Sequence, residues 1–195
     1  MLLVGPIVRL QVQRSSVKIA GAHGRRYHPG PLVAVPALRL DRAGVTGLTQ
    51  DGDPVLDVHH RDHPASKNRE LHNGISLGFT GHYAAMRDQF GAHLSDGIAG
   101  ENILIQFGDL IGEADLARGL VIATQDGTHI ALERIFVAAP CVEFSRYALR
   151  FPDAARPDRR ITAALQFLDD GMRGYYATYD GAGATVRLGD RVYVP

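Results

Sequence analysis

The sequence has one cysteine, no excess of charge of either sign and no long apolar run. A single cysteine excludes a scaffold held together by internal disulfides. The 21 basic and 21 acidic residues give a formal net charge of +0, so no overall field attracts the chain to nucleic acid or to an anionic membrane. A small or dipolar ligand suits this composition better than either of those partners.

The absence of a long apolar run bears on localisation. The N-terminal stretch MLLVGPIVRL has neither the basic flank of a signal peptide nor the length of a membrane span. We therefore expect a cytoplasmic protein with no membrane partner. A chain of 195 residues is long enough to bury one core without a structural metal, and we expect residues 1–195 to form a single domain.

Glycine and short apolar runs are abundant, and they favour a β-rich fold. The 22 glycines and 10 prolines indicate many tight turns. Alternation predicts a strand over 8–13, and Pro36 divides the run 32–40 into two short strands or marks an edge strand. Further strands are predicted over 102–107, 119–124 and 128–138, and the turns near the C-terminus predict a closing meander.

Helical spacing predicts three helices, over 80–91, 142–149 and 160–170. Thr80 or Gly81 is the expected N-cap of the first helix, and Gly91 its expected end. Residues 49–74 follow neither period and are predicted to form a long loop, a feature that is often functional. The sum is a predominantly β protein with a few helices and a curled or barrel-like mixed sheet.

Cys141 lies at the junction of a predicted strand and a predicted helix, directly after Pro140. Unpaired amide hydrogens in the first turn of a helix stabilise a thiolate, the form that binds soft metals and carries sulfur. The alternative is that Cys141 is a small apolar residue that fills the corner between the two elements. The residues alone leave both interpretations open.

Three other groups of residues are candidates for chemistry. Glycines at 97 and 100 precede Glu101 and Asn102 at the start of a strand, where they admit a ligand or simply form a polar turn. The loop histidines at 59, 60, 63 and 72 are zinc-ligand candidates or solvated side chains. The basic side chains suited to phosphate, or to a charged surface, are Lys67, Arg69, Arg146 and Arg173.

Taken in order, five segments of the sequence resemble the MOSC family, which is named for the C-terminal domain of molybdenum cofactor sulfurase. The segments are AGVTG (43–47), GIAGENILI (97–105), APCVEFSRY (139–147), GMRGYYATY (171–179) and VRLGDRVYV (186–194). The resemblance extends from about Leu38 to Val194. The family's Gly-Gly-Pro-x-Arg-Ala stretch is replaced here by ASKNRELHNGISLGFTGHY (65–83), in which Lys67, Asn68 and Arg69 are its possible substitutes.

The resemblance implies a mixed β-barrel of the MOSC and pyruvate kinase β-barrel-like type that binds the pterin-based molybdenum cofactor. By position, Cys141 inherits the role of molybdenum ligand or persulfide site. Glu101 and Asn102 would then orient the site as catalytic residues. The residues expected to hold the cofactor are Gly100, Lys67, Asn68, Arg69, Arg146 and Arg173.

The activity that the resemblance implies is reduction of N-hydroxylated compounds, or sulfur transfer, on a small-molecule substrate with a separate electron-donor or sulfur-donor protein. One alternative is a non-catalytic β-barrel that carries a small ligand or the cofactor, with a structural cysteine. A further alternative is zinc-dependent hydrolysis by His59, His60 and His63.

Overall fold

The chain folds into fourteen strands and three helices across the residues that the computed structural model describes, which are 1–21, 24–68, 70–152, 156 and 158–195. In chain order the elements are β1 (Leu2–Gln13), β2 (Lys18–Gly21), β3 (Gly24–Tyr27), β4 (Leu32–Ala34), β5 (Ala37–Asp41), β6 (Gly44–Leu48), β7 (Pro54–Leu56), β8 (Ile75–Phe79), α1 (Thr80–Phe90), β9 (Ile103–Ile105), β10 (Leu120–Ala123), β11 (His129–Val137), α2 (Val142–Ala148), α3 (Arg159–Leu168), β12 (Tyr175–Thr178), β13 (Ala184–Arg187) and β14 (Arg191–Val194).

Seven of the strands form a closed barrel in the order β14, β10, β11, β12, β8, β9 and β1, and the pairing of β1 with β14 closes the ring. The pair β8 and β9 is parallel, whereas the other barrel pairs are antiparallel. Strand β4 extends the barrel from β1, and β13, β5, β6 and β7 form a second sheet. The predicted predominantly β fold, with a few helices and a barrel-like mixed sheet, is confirmed.

The buried side chains divide into two clusters. The first fills the barrel and includes Leu10, Leu77, Ile103 and Tyr175, each exposing 1% of its surface or less. The second lies between the barrel and the helices, and its members include Tyr83, Met86, Phe144 and Leu168 from all three helices, together with Tyr27 from the β2–β3 hairpin. Helix packing on one side of the barrel therefore builds a second core, and the hairpin is attached to it.

Several local predictions are confirmed. The run around Pro36 forms two short strands, β4 and β5, and the three predicted helices correspond to α1, α2 and α3. The predicted cap of α1 is wrong, because Phe79 is the N-cap residue and it makes no side-chain capping bond. The Thr80 hydroxyl is already used, since it donates to the Phe107 carbonyl and accepts from the Phe107 amide.

Other strand predictions are wrong. The C-terminal strands do not form a meander: β12 pairs with β11 and β8, β13 with β5, and β14 with β1 and β10. The segment AGVTG (43–47) is mostly strand β6, and the loop predicted over 49–74 contains β7. Strand β8 has no alternating pattern because all five of its residues are buried.

None of the helices in the described part of the chain has the length and apolar character that a membrane crossing requires.

The side chain of Asn102 joins three parts of the fold. Its Nδ2 donates to the Gln11 carbonyl at 3.2 Å and to Asp57 Oδ2 at 2.8 Å. Its Oδ1 accepts from the amide and the hydroxyl of Ser76, at 3.0 and 2.9 Å. Asn102 is 1% exposed, so these bonds connect β1, β8 and the loop after β7 without competition from water.

Replacement of Asn102 by alanine removes at least one buried hydrogen bond from each of these three segments. We expect Asn102→Ala to lower the free energy of unfolding by on the order of 3 kcal/mol, measured by urea denaturation. Asn73→Ala is the matched control, because Asn73 is only partly buried, and it should change stability by about 0.5 kcal/mol or less. Equal effects of the two substitutions would contradict this role for Asn102.

His82 is buried on α1 against the barrel. It is 3% exposed, and its Nε2 accepts from the Ile111 amide at 3.1 Å. The ring packs against Phe79 and Tyr175, with centroids 5.5 and 6.2 Å apart. Burial lowers the pKa of His82 below its usual value of 6.5, because the charged imidazolium is poorly solvated there.

This lowered pKa makes folding stability depend on pH. At pH values above the pKa of His82 in the unfolded chain, the imidazole is neutral in both the folded and the unfolded state, and its contribution to folding stability is complete. As the pH falls through that value the unfolded chain takes up a proton that the folded protein does not, so stability is lost. We expect the free energy of unfolding to fall between about pH 8 and about pH 5, and to fall less in His82→Phe. An identical decline in the two proteins would exclude His82 as the source.

Candidate functional site

A cavity of about 310 Å³ lies beside the barrel, between the β2–β3 hairpin, the loop after β7 and the start of α2. The turn before β9 and the segment from Arg173 into β12 complete its wall. The chemically active side chains in the wall are Lys18, Arg25, His59, Lys67, Glu101, Cys141 and Arg173. Its volume is at the lower end of the range of ligand pockets, roughly 300–1,000 Å³.

Cys141 contributes the thiol of this cavity. It is the N-cap residue of α2, with extended backbone angles, and its side chain makes no capping bond. Its carbonyl accepts from both the amide and the hydroxyl of Ser145, each at 3.0 Å. These bonds fix the backbone of Cys141, and the residue is partly buried and lies in the cavity wall.

Glu101 contributes a buried carboxyl. It is 5% exposed, and its Oε2 accepts from the Tyr83 hydroxyl at 2.6 Å. That hydroxyl in turn accepts from the Ala99 amide at 3.0 Å. Oε1 has no donor among the described residues. Burial raises the pKa of Glu101, although the bond from Tyr83 opposes the shift.

Glycine makes space for this carboxyl. Gly174 also lines the cavity, and its φ of 126° falls where side chains are disfavoured. A Cβ at that position would lie 2.5 Å from the Leu77 carbonyl oxygen and 3.5 Å from Glu101 Oε1. The glycine therefore keeps the backbone of β8 and the carboxyl close together at the edge of the cavity.

Arg173 contributes a guanidinium group that is only partly bonded. One terminal nitrogen donates to the Ala99 carbonyl at 3.2 Å, and the group lies 5.8 Å from the ring centre of Phe144. Its Nε is buried and has no acceptor among the described residues. Burial disfavours the charge, but the ionised forms of Tyr176, Cys141, Tyr27 and Glu101 together outweigh it and raise the pKa of Arg173. The guanidinium is therefore charged, in the same cavity wall as the thiol.

The β2–β3 hairpin supplies two more cations. Lys18 Nζ and Arg25 Nε lie 3.1 and 3.3 Å from the carboxylate oxygens of Glu143 on α2. Tyr27 of the same hairpin contacts the rings of Phe144 and Tyr147 at 5.1 and 5.2 Å. Ion pairs and ring contacts thus attach the hairpin to α2, and the two cations come to lie in the cavity wall.

The structure brings together five of the nine residues proposed from the sequence: Gly100, Lys67, Glu101, Cys141 and Arg173. Arg69 lies outside the described residues. The other three do not line this cavity, and their predicted contact with a cofactor stays a prediction. They are Asn68, Asn102 and Arg146.

Each of these three side chains has another partner. Asn102 is buried in the network that joins β1 and β8. Asn68 donates to the His59 carbonyl at 2.9 Å and so holds the loop in place. Arg146 donates to the Pro152 carbonyl at 2.7 Å and lies over the ring of Phe151.

The loop histidines do not form a zinc site. His59 bonds to Asp57, His60 lies 3.6 Å from Asp41, and His63 contacts the Arg14 carbonyl. Within the described residues no three potential ligands are close enough to hold a metal ion. The zinc-hydrolase alternative therefore has no geometry to support it.

Sequence reasoning missed three residues of the wall as cofactor-site candidates. Lys18 and Arg25 lie on strands of four residues each, which are too short to show a clear period. The sequence offers His59 as a zinc-ligand candidate or a solvated side chain, although an aspartate two residues earlier is a signal for an oriented imidazole.

The arrangement suits an anionic ligand. Four basic side chains and one thiol face a single cavity, and the one carboxyl among them has a raised pKa. Guanidinium and ammonium groups bind phosphate, and a thiolate binds a soft metal. The cavity thus combines basic side chains, which bind anions, with one thiol of the type that binds a soft metal or carries sulfur.

Comparison with known proteins shows the fold. No family model and no curated protein matches the chain. The crystal structure of the YUAD protein from Bacillus subtilis is similar, with a TM-score of 0.55, 14% identity and coverage of 97% of this chain and 92% of that one. The crystal structure of a hypothetical protein has a TM-score of 0.53 and 14% identity, over 97% and 67% of the two chains. The barrel is therefore one that solved proteins share.

Proposed function

We propose that this protein binds the pterin-based molybdenum cofactor through Cys141 and either supports reduction of N-hydroxylated compounds or transfers sulfur as a persulfide. One observation supports the proposal above the others. The chain's single thiol lies in the wall of the cavity that Arg173, Lys67 and Glu101 also line, and Oε1 of Glu101 has no donor among the described residues.

The residues present fit the chemical groups of this cofactor. Its phosphate would be held by basic side chains, and Lys67 and Arg25 are exposed at positions suited to the mouth of the cavity. The pterin carries both hydrogen-bond donors and acceptors, which match the unpaired Glu101 Oε1 and Arg173 Nε. Cys141 would bind the metal through its thiolate. When bound, the cofactor supplies a metal that exchanges oxygen and two electrons with a substrate.

Glu101 and Arg173 lower the stability of the folded protein when no ligand is bound. A buried polar atom without a partner destabilises the folded state by roughly 1–3 kcal/mol. Two such atoms belong to residues that line this cavity, and a ligand that forms hydrogen bonds with both would remove that cost. This is how a binding site differs from a structural ion pair, in which each group already has its partner.

Electrons or sulfur would come from a separate donor protein, which approaches on the side where Lys67 and Arg25 are exposed. A thiol that has to stay reduced suits the cytoplasm, where we place the protein. In the alternative function, a non-catalytic carrier, Cys141 would be a structural residue and would not contact the ligand.

Metal analysis of Cys141→Ser tests this proposal. Protein purified from a host that makes the cofactor should contain molybdenum and pterin, and Cys141→Ser should lose the metal because a hydroxyl is a poor ligand for it. The matched control is Val142→Ser, which introduces the same side chain at an exposed neighbouring position and should keep the metal.

Two outcomes contradict the proposal in different ways. A wild-type protein free of molybdenum would refute cofactor binding. A Cys141→Ser variant that keeps its molybdenum would show that the cysteine is structural and would favour the carrier. Iodoacetamide labelling gives a second readout: we expect the folded wild-type protein to react near neutral pH, whereas a structural thiol reacts only after unfolding.

Replacement of Glu101 by glutamine should separate stability from binding. Burial raises the pKa of Glu101 in the folded protein above its usual 4.5. The contribution of Glu101 to folding stability is therefore complete below its unfolded pKa, and it is lost as the pH rises through the folded pKa. Glu101→Gln removes the buried charge, so we expect the free energy of unfolding near neutral pH to rise by on the order of 1 kcal/mol, and cofactor content to fall.

The control for this experiment is Glu133→Gln, which replaces an exposed carboxyl on β11. This substitution should alter neither the free energy of unfolding nor the cofactor content. A loss of stability near neutral pH in Glu101→Gln, or a cofactor content equal to that of the wild type, would contradict the assignment of Glu101 as a ligand-binding group.

A further inference from the structure

Asp57 and His59 form a hydrogen-bonded pair beside the cavity. Asp57 is 0% exposed, and its Oδ2 accepts from the Gln13 amide at 2.7 Å and from Asn102 Nδ2 at 2.8 Å. Its Oδ1 accepts from the His59 amide at 2.9 Å and lies 2.9 Å from His59 Nδ1. Burial opposes ionisation, but the bonds from His59 and Gln13 lower the pKa of Asp57 below its usual value.

The ionised carboxylate fixes the imidazole of His59. A carboxylate only accepts hydrogen bonds, so Nδ1 has to carry the hydrogen. In neutral His59 the lone pair is then on Nε2, for which the described part of the protein offers no partner. The backbone is held as well, because Asn68 Nδ2 donates to the His59 carbonyl.

The ring of His59 belongs to the same cavity as Cys141. It lines the wall, packs against Tyr176 with ring centres 6.3 Å apart, and its side chain is 28% exposed. Asp57 and Tyr176 are the titratable groups beside the ring. The others in the wall are Lys18, Arg25, Lys67, Glu101, Cys141, Arg173 and Tyr175.

We propose that His59, oriented by Asp57, is the proton-transfer residue for the ligand that binds in this cavity. A buried carboxylate that orients an imidazole is a recurring arrangement for moving protons, because it fixes the tautomer and stabilises the imidazolium. The inference rests on the proposed function only for the identity of the reaction.

In the reduction of an amidoxime, protons and electrons balance as follows. The N–O bond breaks, two electrons come from an external reductant, one proton converts the departing hydroxyl into water, and one proton goes to the nitrogen. The His59 imidazolium supplies one of these protons at Nε2 and regains it from solvent, since its side chain is partly exposed.

The tautomer of His59 is measured directly by NMR on the full-length protein from a host that makes no molybdenum cofactor, with isotope-labelled histidine. The expected result is a proton on Nδ1 and a lone pair on Nε2 in the neutral ring. A neutral ring with its proton on Nε2 overturns the inference.

Kinetics on the cofactor-loaded protein test proton transfer itself, with benzamidoxime as substrate and a reduced viologen dye as electron donor. We expect His59→Gln to lower kcat by on the order of 100-fold, to leave KM unchanged and to abolish one limb of the pH profile. His129→Gln, which removes an exposed histidine on β11, is the control and should keep the wild-type profile. A His59→Gln enzyme with the wild-type kcat and pH profile overturns the inference.

The two measurements separate this inference from the proposed function. A wild-type protein that contains no molybdenum refutes the proposed function. The inference about His59 is then tested by the NMR measurement of its tautomer, which needs no cofactor. A protein that contains molybdenum and reduces benzamidoxime independently of His59 supports the proposed function and contradicts the inference.

Discussion

The amide of Asn102 is the contact on which both the barrel and the cavity depend. It bonds to β1, to Ser76 on β8 and to the carboxylate of Asp57, all out of contact with water. Asn102 faces this interior network, while the residue before it, Glu101, lines the cavity. One buried polar network thus positions a carboxyl on one segment and, through Asp57, an imidazole on another.

The cavity combines groups that burial alone would disfavour. Glu101 and Arg173 each have a buried polar atom without a partner, although Tyr83 donates to the other carboxyl oxygen of Glu101 and the Ala99 carbonyl accepts from one terminal nitrogen of Arg173. Such sites are less stable than a fully apolar or fully paired core. A ligand that completed the bonding would remove this cost, and the basic side chains of the wall suit an anionic one.

Much of this arrangement was predictable from the sequence, and the limits have physical causes. Cys141, Glu101 and Arg173 lie in segments whose order resembles the MOSC family, and the structure gathers them in one wall. Asn68 and Arg146 are as polar as the residues that line the cavity. Whether a polar side chain contacts the cavity or the loop backbone depends on its direction. Direction follows from tertiary packing, which composition and spacing do not specify.

The strand pairing shows the same limit. The alternation of β1 was evident from residue 8 onward, yet the strand begins at Leu2 and bonds to β14, β9 and β4 in turn. The parallel pairing of β8 with β9 joins segments separated by helix α1. Turn signals near the C-terminus correctly indicate where strands end, but they contain no information about which distant strand is the partner.

The most direct test of the account is an anomalous-scattering map at the molybdenum edge, from crystals of the wild-type protein produced in a host that makes the cofactor. If Cys141 binds the metal, we expect one peak, inside the cavity and within bonding distance of Cys141 Sγ. A map with no peak there, or with its peak away from Cys141, would contradict it.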